Sequence, residues 1–161
     1  MACVPERVAD VTTFDITETT TATPEQFLAA LTDFGPDRAE IWGNSKERFL
    51  KVHDRGDTWA DVTEGSVGVW ERLRYDWSNP LDIVLTTTDS NAWGGASGHR
   101  YTLTRGADGR TSVHMVMVRE GIHLKGRLLG ALLPLVGRSF VRKGLAGALR
   151  ATEARAAAAG N

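Results

Sequence analysis

Leu128-Leu129-Gly130-Ala131-Leu132-Leu133-Pro134-Leu135-Val136-Gly137 is the most hydrophobic run of the chain, set within a final quarter, Gly121 to Asn161, that reads as a long helical element. A helix so rich in leucine needs a broad apolar surface to lie against. The preceding residues supply one, because from Ser45 to about Glu120 they read as half-buried strands separated by turn signals. The sequence therefore predicts a sheet curled around a C-terminal helix. The apolar run, bracketed by Arg127 and Arg138, is about ten residues long, roughly half of a bilayer span, so no stable membrane insertion is expected.

Two features complicate the helix. Gly126, Gly130, Gly137 and Gly144 fall on one narrow face, which either lets the helix approach the sheet or leaves volume for a ligand. Pro134 cannot donate to the carbonyl of Gly130, so two pieces are expected: a mobile lid from Ile122 to Leu133 and a firmer helix from Pro134 to Ala156.

Upstream, Val8 to Thr17 has strand periodicity at Thr12, Phe14 and Ile16. Thr23-Pro24-Glu25-Gln26 has the form of a capping box with proline at the first helical position, predicting a helix over Pro24 to Thr32. Gly35-Pro36 ends it before a helical turn at Asp37 to Trp42. Strands follow at Glu47 to His53, Thr58 to Glu64, Val67 to Trp77, Leu81 to Thr86, Arg100 to Arg105 and Thr111 to Arg119. In Val67 to Trp77, the row Val67, Val69, Glu71, Leu73, Tyr75 and Trp77 faces inward, and Arg72 and Arg74 face solvent. Leu81, Ile83 and Leu85 form a second inward row, Tyr101 and Leu103 a third. On Thr111 to Arg119 both rows are apolar, and alternation does not choose between them.

The 161 residues make one domain, with residues 1–7 and 157–161 expected to be flexible. A single cysteine, Cys3, permits no internal disulfide, and Met1 to Asp10 lack the apolar core of a signal peptide; cytoplasmic residence is the expectation. With 19 basic and 20 acidic side chains, nucleic acid is not an expected partner. His53, His99, His114 and His123 have no metal-ligand spacing, and no phosphate loop or nucleophile motif is present, so neither metal nor cofactor is expected.

Glu71 is the one carboxylate in an otherwise apolar row. Buried, it serves acid-base chemistry, orients a ligand or makes a structural ion pair. Tyr75, Trp77 and Tyr101 are core aromatics or ligand contacts by the same logic. Trp93, alone among small residues, marks either a pocket mouth or an anchor for its loop.

The order strand, two short helices, six strands and long helix resembles the helix-grip fold of the START-like, Bet v 1-like (SRPBCC) superfamily. Trp70-Glu71-Arg72, Arg74-Tyr75-Asp76-Trp77-Ser78 with Pro80, Asp89-Ser90-Asn91 with Trp93, and Lys125-Gly126-Arg127-Leu128-Leu129-Gly130 are similar to its polyketide cyclase/dehydrase-like members. The resemblance implies an α+β fold in which a curved antiparallel sheet wraps a long C-terminal helix, with two short helices after the first strand. It also implies a cavity for a hydrophobic small molecule, lipid-like or polyketide-like. Val69, Glu71, Leu73, Tyr75, Trp77, Ile83, Leu85, Trp93, Tyr101, Leu103, Leu128 and Leu132 are the expected lining, and a binding protein is the expected function. The alternative is a cyclase or aromatase, for which Glu71, Tyr75 and Tyr101 are the matching catalytic candidates; no inward-facing arginine is identified. The apolar helix surface suits a second copy of the chain as readily as a membrane surface, so a homodimer stands among the expected partners.

Overall fold

The computed structural model describes residues 11–160. The expected strand start at Val8, the N-terminal tail and Asn161 lie outside those residues. Strand β1 (Val11–Thr20) leads to α1 (Pro24–Leu31) and α2 (Arg38–Ile41). Strands β2 (Lys51–Arg55), β3 (Trp59–Ser66), β4 (Val69–Asp76), β5 (Asp82–Ser90), β6 (Gly98–Arg105) and β7 (Thr111–Glu120) follow, then α3 (Leu124–Ala159). All strand pairs are antiparallel, and the seven strands form one sheet ordered β1-β7-β6-β5-β4-β3-β2. This is the helix-grip arrangement, with α3 across the sheet.

Local chemistry explains the connections. Thr23 accepts from the Gln26 amide at 3.2 Å while the Gln26 side chain accepts from the Thr23 amide at 2.8 Å, closing the capping box of α1. Gly68, at φ +92°, lets the chain reverse between β3 and β4. The expected strand at Glu47 is instead a 3-10 turn, Glu47–Phe49, closed by the bonds Phe49 N to Lys46 O and Leu50 N to Glu47 O. β2 therefore starts at Lys51; it is a short edge strand paired only with β3.

The core joins Phe14 and Ile16 of β1, Phe27 and Leu31 of α1, Val62, Leu73, Tyr75, Ile83, Leu85 and Leu103 of the sheet, and Leu145 and Leu149 of α3. Full burial of each large aliphatic side chain contributes roughly 1.5–3 kcal/mol. Val67 and Leu81, placed inward by alternation, lie at strand ends and are exposed. Neighbouring strands select the face of β7: Met115 pairs with Ile16 on one side and Tyr101 on the other, and the row Val113, Met115, Arg119 is buried.

The long helix departs most from expectation. It is one continuous element through Pro134 and reaches Ala159, rather than a lid followed by a helix. Its first half is tied down on both sides of the proline, which offsets the lost hydrogen bond, a cost of about 3 kcal/mol. Gly126 packs on the backbone carbonyl of Ala92, and Gly137 lies against Phe14. Leu133 and Val141 also reach the core. The glycine face turns inward, so the leucines turn outward: Leu128 is 62 % and Leu132 57 % exposed.

Candidate functional site

Between the middle of α3, at Phe140 to Leu145, and the concave side of the sheet lies a cavity of about 540 Å³. His99, Tyr101, Met115 and Leu145 are its buried residues; Trp42, Ser66, Met117 and Val141 form its half-buried walls. Gly43, Asn44, Phe140, Lys143 and Gly144 are exposed and form the rim. A Cβ on Gly144 would meet nothing within 4 Å, so this glycine leaves open volume, whereas Gly126 and Gly137 provide close approach.

Behind the cavity, four adjacent strands each contribute one polar side chain: Glu71 from β4, Thr87 from β5, His99 from β6 and Arg119 from β7. A bulge where Arg72 pairs with Asp89 but Leu73 pairs with Thr87 shifts the β4–β5 register, turning both Thr87 and Ser90 inward. Arg119 donates through Nη2 to Glu71 Oε1 at 2.9 Å and through Nη1 to Glu71 Oε2 at 3.3 Å. Thr87 donates to Oε2 at 3.0 Å. Both oxygens of Glu71 are thus engaged, and neither is directed to a ligand.

Arg119 Nη2 also lies 2.6 Å from His99 Nε2. A guanidinium only donates, so Nε2 is the acceptor and the imidazole proton sits on Nδ1. Burial, and secondarily the charge of Arg119, pushes the His99 pKa well below its ordinary 6.5, keeping the ring neutral. Burial likewise pushes the Tyr101 hydroxyl upward, so it stays protonated. No fully buried side-chain nitrogen or oxygen among the described residues lacks a partner. His99 Nδ1 and the Tyr101 hydroxyl have no protein partner among the described residues, so neither is fully enclosed, and both residues line the cavity. The result is two neutral donors, on rings whose centroids are 6.4 Å apart, in an otherwise largely apolar chamber.

A second buried cluster braces the wall. Arg38 donates to Leu31 O at 2.9 Å, Asp33 O at 3.0 Å, Glu64 Oε2 at 2.9 Å and the Tyr75 hydroxyl at 2.8 Å; Tyr75 donates to Glu64. Burial raises the Glu64 pKa, but the charge of Arg38 and hydrogen bonds from Arg38, Tyr75 and Ser45 outweigh it and hold Glu64 below its ordinary 4.5. Tyr75 is pushed well above 10 chiefly by burial. With every polar atom satisfied, this cluster fixes α2 to the sheet.

Of the expected lining, only Tyr101 reaches this cavity. Leu73, Tyr75, Ile83, Leu85 and Leu103 are core, Glu71 stands behind Arg119, and Val69 is half-buried near the β3–β4 turn. Trp77 is buried at another place, its indole donating to Asp57 O at 3.1 Å. Trp93 is an anchor: it bridges to Gly121 and lies 5.7 Å beneath the Arg119 guanidinium. Leu128 and Leu132 are on the solvent side of α3 because the glycines occupy its inner side. No inward-facing arginine is identified from the sequence; the structure buries two, Arg38 and Arg119, which are 2 % and 8 % exposed. His99 had a signal, since it shares strand parity with the inward row Tyr101 and Leu103, whereas Arg119 had none, because both rows of its strand are apolar. Arg38 had none either, whereas Trp42 is one of five tryptophans, many for this length, that could line or fill a cavity.

No family model and no curated protein matches the chain. Solved structures do. The Zhui aromatase/cyclase from Streptomyces sp. R1128 superposes with a TM-score of 0.69 at 17% identity, over 94% of this chain and 99% of that one. A START superfamily protein from Mycobacterium smegmatis gives 0.61 at 12%, covering 86% and 97%. Ara h 8.0201 gives 0.57 at 14%, covering 90% and 97%. The chain shares the helix-grip fold of these structures. At these identities the shared property is the fold, and function rests on this chain's own cavity.

Proposed function

We propose that the protein binds an apolar small molecule carrying a carbonyl or phenolic oxygen, with that oxygen accepting from His99 Nδ1 and the Tyr101 hydroxyl. The observation that carries this reading is the pairing of largely apolar walls with two neutral donors inside the cavity. A chamber of this size with a few convergent polar groups is suited to a small ligand. Glu71 acts at one remove: it holds Arg119, which holds the His99 tautomer. The likeness in fold to aromatase/cyclases and a START superfamily protein supports the same reading.

A cyclase would use the same donors to stabilise an enolate or alkoxide. It would also need a base, and Glu71 has both oxygens occupied while the His99 lone pair is taken by Arg119. Binding without turnover is therefore the better supported function.

Native mass spectrometry of the purified protein, with extraction of retained compounds, tests it together with thermal shifts against fatty acids, sterols and aromatic polyketides. Retention or stabilisation by an oxygen-bearing apolar compound is expected. His99→Phe with Tyr101→Phe should weaken that compound roughly thirtyfold while leaving a plain hydrocarbon unaffected, two hydrogen bonds being worth about 1 kcal/mol each. No retained compound and no shift across the panel would sink the proposal.

A further inference from the structure

The solvent face of the first half of α3 carries Leu124, Leu128, Leu132, Leu135 and Val136, all more than half exposed, and Phe140 continues this surface to the cavity rim. Helical spacing places the first five on one side, over about 20 Å at 1.5 Å per residue. A soluble helix normally buries such a stripe. Here the inner side is already occupied by glycines against Ala92 and Phe14, so the leucines cannot serve the core.

Charge selects the occupant. From Gly121 to Thr152 there is no acidic residue, but there are six basic ones, Lys125, Arg127, Arg138, Arg142, Lys143 and Arg150. Among the described residues Arg127, Arg138 and Lys143 are exposed and have no acidic partner. A symmetric contact with a second copy would set these cations against each other. An anionic lipid surface accepts both components: the leucines enter the acyl boundary, and the arginine stems lie along it with their heads at the phosphates. No helix of the described residues is long and apolar enough to cross a membrane, which leaves the helix lying in the interface plane.

We propose that the Leu124 to Phe140 face of α3 docks on anionic phospholipid. The docking stands on this helix face alone and does not depend on what the cavity holds. It would bring the cavity rim at Phe140 and Lys143 to the lipid surface.

The test is cosedimentation of the full chain with vesicles of phosphatidylcholine alone and of a three-to-one phosphatidylcholine and phosphatidylglycerol mixture. Binding to the mixture, weakened by salt, is expected. Arg127→Gln with Arg138→Gln should lower affinity about thirty-fold, two cations near an anionic surface each contributing roughly fivefold. Leu128→Glu with Leu135→Glu should abolish binding while circular dichroism and the cavity's ligand shifts stay unchanged. Absence of binding to the mixture, binding that neither variant weakens, or a stable dimer dissolved by Leu128→Glu with Leu135→Glu would overturn the proposal. Failure of the cavity panel alone would leave vesicle binding intact, so the two proposals fail separately.

Discussion

Replacing Arg119 by Met tests the buried polar row directly. The side chains of Arg119 and Glu71 are 9% and 11% exposed, and the guanidinium contributes both of its terminal nitrogens to the carboxylate. Removing one partner of a buried pair leaves the other charge uncompensated, which costs about 3–5 kcal/mol. For a domain of this length that corresponds to roughly 6–20 °C in Tm. Because the cost arises from the stranded carboxylate, adding Glu71→Gln should restore at least half of the loss, which urea unfolding in a double-mutant cycle measures. His99 provides an independent readout. With the cation gone, His99 Nε2 faces Glu71 Oε1 at 4.0 Å with no competing positive charge, so its pKa should rise in the single variant. Nitrogen-15 NMR of the imidazole follows both the titration and the tautomer. A stability loss below about 1 kcal/mol, or a wild-type His99 that already titrates at or above 6.5, would refute the reasoning.

Gly137→Ala should destabilise by about 1–3 kcal/mol, because its Cβ would come 2.6 Å from the ring of Phe14, whereas Gly130→Ala enters open space and should stabilise by up to about 1 kcal/mol; thermal melts compare them. Tyr75→Phe removes a donor to Glu64 and an acceptor for Arg38, and should cost about 1.5–3 kcal/mol in urea unfolding. Acid should weaken the fold in two stages. Below about pH 6.5 the unfolded chain binds a proton that folded His99 refuses, and below about 4.5 the same holds for Glu64; His99→Phe should therefore flatten only the first stage of a pH series of urea midpoints.

The fold was legible in the chain because its signals are local. Thr23, Pro24 and Gln26 carry their cap in four residues, and the row Glu71, Leu73, Tyr75, Trp77 needs only a period of two to declare an inward face. Composition and turn spacing then leave few ways to place one long helix against the sheet. The site was less legible because its members meet across strands. Glu71 was visible as an inward carboxylate, but its partner lies 48 residues away, on a strand whose two faces are both apolar enough to be core. Only the pairing of β7 with β1 and β6 turns Arg119 inward. The same holds for α3: its periodicity offers a leucine side and a glycine side, and hydrophobicity alone favours burying the leucines. Close backbone approach at Gly126 and Gly137 reverses that choice, since those contacts have no room for a side chain. Sequence determined that a helix would lie on a sheet; tertiary packing decided which side of the helix met it, and with that which residues surround the cavity.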